Sequence, residues 1–213
     1  MPDYAAVLWD LDGTIVDTEP LWIAAETELA ETHGRVWTME DSLELVGSDL
    51  LASGEHIRTR LGLEMTAREV VDFLVTRVVD GLSQNISWRP GAIELIEALA
   101  AEGVPQALVT MSYADIAAPL AAALPFGAVV TGDIVPRGKP FPDPYLMAAE
   151  RLGVDPTHCM AIEDSPTGAT SANAAGCWVV VVPHMVSVPA APRRAAVPSL
   201  DGLSPAALRV LEF

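Results

Sequence analysis

Five short apolar runs recur along the chain: Ala5–Trp9, Ala107–Val109, Ala128–Thr131, Met160–Ile162 and Trp178–Val182. Each is too short for a core helix. Each is apolar throughout, without the alternation of a half-exposed strand, as expected of strands covered on both faces of a sheet. Between the runs, apolar positions follow the helical period. Ala92–Ala101 sets Ile93, Ile96, Leu99 and Ala100 on one side, and Ala114–Ala123, Tyr145–Leu152 and Thr167–Ala175 read similarly. Strands alternating with helices of this length predict an α/β protein built on a doubly wound parallel sheet.

The alternation stops after the first run. From about Thr18 to about Gln84 no strand pattern occurs. The segments Leu21–Thr32, Thr38–Val46 and His56–Leu61 read as helices, followed by Gly34, Gly47 and Gly62. Thr66–Leu82 opens with Thr66 and Glu69 at capping-box spacing. Asn85–Gly91 reads as a return linker. The expected organisation is therefore a core of residues 1–16 and 88–213 interrupted by a helical insertion, 17–87. The proline-rich stretch Pro183–Pro198 predicts an irregular connection, and Ser204–Leu211 a terminal helix.

Charge narrows the partners. The 213 residues carry a formal net charge of -17, a field that repels nucleic acid and anionic membrane surfaces alike. Cys159 and Cys177 each open an apolar run, as buried thiols do, and reduced thiols suit the cytoplasm. No basic stretch precedes an apolar one in MPDYAAVLWDLDG, and no apolar run approaches the ~18 residues of a membrane span. The expectation is a cytoplasmic monomer.

Ligands of open α/β sheets bind beyond the carboxyl ends of the strands. Asp10 and Asp12 follow the first run, Thr110 the second, and Glu163 and Asp164 the fourth; Lys139 lies in the loop RGKPFPDP after the third. Each feature alone has an ordinary reading: the DLDG aspartates as turn formers, the Glu163–Asp164 pair as a helix start, Thr110 and Ser112 as N-caps. Together, four carboxylates at one sheet edge would repel one another unless a hard cation sat among them, and oxygen-only ligands point to Mg²⁺. Lys139 is the only lysine beside eleven arginines. That choice marks a place for a compact ammonium on a flexible stem. Hydroxyls at a strand end beside a helix start, at Thr110 and Ser112, suit an anion.

Four ordered motifs, DLDGT (Asp10–Thr14), VTMS (Val109–Ser112), GKPFPDPY (Gly138–Tyr145) and EDSPTG (Glu163–Gly168), resemble those of the haloacid dehalogenase superfamily. The resemblance is to the branch with a helical cap after the first motif. DTEPLW, LGVDP and IEDSPTG are similar to sugar-phosphate phosphatases near β-phosphoglucomutase. The resemblance implies a Rossmann-like core with an inserted α-helical cap. It further implies a Mg²⁺-dependent phosphatase acting on a small-molecule phosphate ester. Asp10 would be the nucleophile and Asp12 the general acid and base. Asp10, the Asp12 backbone carbonyl and Asp164 would hold the metal, with Glu163 as a further candidate. Lys139, Thr110 and the Met111 amide would bind phosphate.

The cap departs from the mutase branch. Trp22 stands near the position of an expected histidine, and Gly47–Leu51 supplies no arginine. Trp22 is open to two readings, stacking on a substrate ring or packing within the cap. Mutase-type phosphoryl transfer and a receiver-like phospho-aspartate signalling module are the alternatives. The second is disfavoured by Asp12 and by the long helical insertion.

Overall fold

The computed structural model describes residues 4–213. Its centre is a six-stranded parallel sheet of β1 (Ala6–Trp9), β2 (Gln106–Val109), β3 (Ala128–Val130), β4 (Cys159–Glu163), β5 (Trp178–Val181) and β6 (Arg194–Ala196), in the order β3-β2-β1-β4-β5-β6. This is the α/β sheet that the apolar runs predict. β1, β2 and β4 are buried at every residue. Their alternate side chains feed two separate cores. Val7, Trp9, Leu108, Met160, Ile162 and Val180 face α5 (Ala92–Ala101), α6 (Ala114–Ala121) and α9 (Pro205–Arg209). Ala6, Leu8, Ala107, Val109, Val179 and Val181 face α7 (Asp143–Leu152) and α8 (Pro166–Ala174). The smaller side chains of the second face let α7 and α8 lie close to the sheet. A strand packed on both sides has no face left for polar alternation.

Four helices separate β1 from α5: α1 (Glu19–Thr32), α2 (Met39–Leu43), α3 (Leu50–Leu61) and α4 (Ala67–Gln84). They enclose a small core of their own, with Leu29, Trp37, Ile57, Leu61, Val70 and Leu74. The Thr66–Glu69 capping box at the start of α4 is present in both directions. α3 begins six residues earlier than the sequence pattern indicates. Asp49 caps it by accepting from the Leu51 and Ala52 amides. Gly54, a helix breaker in isolation, permits α3 to run against α4: a Cβ there would collide with the Ala67 carbonyl.

The chain enters and leaves this helical segment at one place. Val16 bridges Trp88, and the Asp17 amide donates to the Ser87 carbonyl at 2.8 Å. At its far side the segment touches the sheet domain through loops. A Cβ on Gly47 would meet Ser165, and one on Gly138 would meet Asp49.

The proline-rich stretch is not wholly irregular. β6 lies within it, pairing Arg194–Ala196 with Val179–Val181. An edge strand needs partners on one side only and tolerates prolines at its flanks, so three residues suffice without an apolar signature. No helix among the described residues is long and apolar enough to cross a membrane.

Candidate active site

β2, β1 and β4 are neighbours, and their register sets Trp9 beside Leu108 and Ile162. The residues that follow therefore emerge at one height on one edge. The turn after Asp12 depends on Gly13 at φ +84°, and the Asp164 carboxylate fills the space that a Cβ would need there. Only glycine allows that approach without strain.

Lys139 organises the buried charge. Its Nζ donates to Asp10 Oδ1 at 2.6 Å, to Glu163 Oε1 at 2.6 Å and to the Val109 carbonyl at 3.1 Å. Three donors on one small ammonium match three acceptors. Glu163 is saturated. Tyr145 donates its hydroxyl to Oε1 at 2.6 Å, while Oε2 faces the Ser165 amide and hydroxyl. Helix α8 begins directly over this carboxylate, and a Cβ on Gly168 would collide with it. Asp10 and Asp164 are different. Asp10 Oδ2 and Asp164 Oδ2 are buried with no hydrogen-bond partner among the described residues.

The electrostatics follow from burial. It pushes the Asp10 carboxyl up to about 7, against the pull of Lys139 and with the added charge of Glu163 and Asp12. Asp164 is raised well above the carboxylate range, first by burial and then by Asp10 and Glu163. Burial also opposes the Lys139 ammonium, but Asp10 and Glu163 outweigh it and raise its pKa. Asp10, Glu163 and Asp164 each offer an oxygen within 4.8 Å of the others. Two unpartnered buried carboxylate oxygens are costly in isolation. A hard divalent cation would satisfy both, and the all-oxygen donor set suits one.

Asp12 gathers four donors. Thr18 and Trp22 point to Oδ1 at 2.7 and 3.4 Å; Thr110 and Ser112 point to Oδ2 at 2.9 and 2.8 Å. Thr110 and Ser112 thus do not cap the following helix, whose N-cap is Tyr113 without a side-chain bond. The Met111 amide donates to no group among the described residues, and its sulfur receives the Lys139 amide. Trp22 packs, half-buried, against the main core, and its indole N–H turns to Asp12. It combines packing with a polar contact that neither sequence reading contains.

All seven residues nominated from the sequence meet in this cleft. Asp10, Asp12, Met111, Lys139 and Asp164 line it, Thr110 holds Asp12, and Glu163 holds Lys139. Sequence reading assigns no role to Tyr145, Thr18, Glu19 or Glu26. Tyr145 and Thr18 stand inside the quoted stretches GKPFPDPY and DTEPLW, but nothing in their spacing points to the carboxylates they meet. Glu19 also stands inside DTEPLW, whereas Glu26, two turns further along α1, lies in none of the quoted stretches.

The parallel sheet thus carries an acid cluster and the single lysine together at its carboxyl edge, where α/β proteins bind ligands. A family model described as haloacid dehalogenase-like hydrolase matches residues 4–176. Hexitol phosphatase A of Escherichia coli is 36% identical over 184 residues, covering 82% of this chain and 81% of that protein. A phosphorylated carbohydrates phosphatase of Thermotoga maritima is 32% identical over 182 residues, 80% of this chain and 81% of the other. CbbY of Rhodobacter sphaeroides, solved in complex with phosphate, superposes with a TM-score of 0.84 at 26% identity, covering 97% of this chain and 100% of that one. The chain belongs to the haloacid dehalogenase-like hydrolases, and it is an enzyme of that type.

Proposed function

We propose that this hydrolase is a Mg²⁺-dependent phosphatase of a small phosphorylated metabolite, a sugar or polyol phosphate, working through an aspartyl-phosphate on Asp10. One observation carries the reading. Lys139 holds one oxygen of the buried Asp10 carboxylate, while the other stands unpartnered, as does Asp164 Oδ2 close by. The relatives support the substrate class, since two are named as phosphatases of hexitols and of phosphorylated carbohydrates.

Asp10 Oδ2, Asp164 and the Asp12 carbonyl would hold the cation. When bound, it would offset the repulsion between a carboxylate and an incoming phosphate dianion. Glu163 serves Lys139 instead, because both of its oxygens are occupied. Asp10 attacks phosphorus, and the ester oxygen leaves with a proton from Asp12. Asp12 then takes a proton from water, which attacks the phospho-aspartate and releases inorganic phosphate and free Asp10. Lys139 keeps Asp10 in place through both steps. For phosphoryl transfer, such positioning and charge stabilisation supply most of the catalysis. Phosphate entering the cleft would take the Thr110 and Ser112 hydroxyls from Asp12, together with the Met111 amide. Residues 17–87 act as a cap hinged at the bridge between Val16 and Trp88, closing over the site and excluding water.

The test is turnover of p-nitrophenyl phosphate with Mg²⁺. Sustained release of nitrophenol, lost with EDTA and in Asp10→Asn, is the expected result. One equivalent of stable acyl phosphate without turnover would select a phospho-aspartate signalling module instead.

A further inference from the structure

The helical side of the cleft has its own chemistry, and none of it is cationic. The cavity is closed by Glu19, Trp22, Glu26, Ser42 and Ser53 on the helices and by Lys139 below, which is committed to Asp10 and Glu163. Glu19 is 8% exposed and lines the cavity, and its side chain makes none of the hydrogen bonds found among the described residues. Its carboxyl faces the cavity and is open to a ligand there. Glu26 is 5% exposed; the Trp37 indole and the Ser42 hydroxyl both bind its Oε2, which fixes the side chain and leaves Oε1 facing away from that brace. Ser42 and Ser53 are buried and line the same cavity.

Size limits the occupant. The cavity holds about 70 Å³. The same cavity also takes in the acid end at Asp10, Asp12 and Asp164, so the space beside the helices is smaller still. Charge limits it further. With every cation engaged at the phosphate end, a second phosphate or a carboxylate on the substrate would face two acids and no partner. Alcohol groups would instead find acceptors in both carboxyls and both serines. Burial, with the charge of Asp12 and Glu26, pushes the Glu19 carboxyl up to about 8, so near neutrality it also donates.

Resting on the phosphatase reading, we propose that Glu19 and Glu26, with the Ser42 and Ser53 hydroxyls, form a subsite for the hydroxyl groups of an uncharged polyol or sugar. The enzyme then takes monophosphates of such compounds and rejects substrates carrying a second anionic group. Discrimination comes from both sides: hydroxyls satisfy buried polar groups, and an extra anion meets repulsion.

The experiment compares kcat/KM, with Mg²⁺, for a six-carbon alditol monophosphate, a ketohexose bisphosphate and p-nitrophenyl phosphate. It uses the wild type and the near-isosteric Glu19→Gln, Glu26→Gln and double variants, each checked by thermal melting. The wild type should favour the alditol monophosphate over the bisphosphate by about 100-fold or more. The double variant should narrow that ratio by about tenfold or more. Equal use of bisphosphate and monophosphate by the wild type overturns the subsite, and that comparison needs no variant. So does a ratio unchanged in folded variants. Turnover of p-nitrophenyl phosphate without preference among the metabolites removes the subsite alone. No turnover of any ester removes the phosphatase reading and the subsite together.

Discussion

Lys139 is the residue on which the buried charges depend. Its side chain is 2% exposed and lies 2.6 Å from both Asp10 and Glu163. A guanidinium is planar and larger, and it cannot point three donors inward from one atom. Lys139→Arg is therefore expected to lose activity by about 100-fold or more, the scale for losing one preorganised charge partner at a reacting centre. The protein should remain folded, as read by steady-state kinetics beside circular dichroism. Activity within about threefold of wild type would show that any cation serves there. This lysine was legible in the sequence because it has no counterpart elsewhere in the chain. Asp10, Asp12 and the Glu163–Asp164 pair were legible as charges at strand ends. Tyr145 and Trp22 were not. A buried tyrosine or tryptophan is ordinary core material, and its polar atom reveals a partner only once the fold brings one within reach. Glu19 and Glu26 were not legible for the same reason.

At the scale of elements, helix α8 and the loop before it support Glu163 from above. Gly168 allows this, since any Cβ there would overlap the carboxylate. Ser165 caps the helix by accepting from the Gly168 amide at 3.0 Å. Gly168→Ala should push α8 off Glu163, loosen Lys139 and lower kcat more than it changes KM; kinetics and a melt on the purified variant read both. A variant with wild-type kinetics would mean that α8 shifts freely and takes no part in holding Lys139. The strands were legible because they are apolar throughout, and α4 because its capping box is complete. The start of α3 and the edge strand β6 were not. Gly54 suggests a break until α4 is seen to need the space, and β6 is defined by its hydrogen bonds to β5 rather than by its own residues.

Over the whole molecule, acids raised by burial tie stability to pH. Glu19 stands at about 8 against an ordinary value of 4.5. The folded state thus keeps its proton where the unfolded chain has lost it. Stability from this group is complete below the unfolded pKa and disappears as pH rises towards the folded one, at up to about 1.4 kcal/mol per pH unit. Glu19→Gln carries no such proton. In urea unfolding of the metal-free protein, its stability relative to wild type should climb between pH 5 and pH 8. A difference that stays level across that range would mean that Glu19 is solvated and free to ionise. The same burial that raises these acids also gathers them around the single lysine of a chain of net charge -17.

The covalent role of Asp10 is open to one direct measurement. The enzyme is mixed with a phosphate ester and Mg²⁺, quenched in acid within the first turnovers and treated with borohydride, which reduces an acyl phosphate to an alcohol. Peptide mass spectrometry should find residue 10 converted to homoserine in a substrate-dependent manner, and no conversion at Asp12 or Asp164. Rapid turnover with residue 10 unmodified at every quench time, or with the label on another acid, would contradict the account.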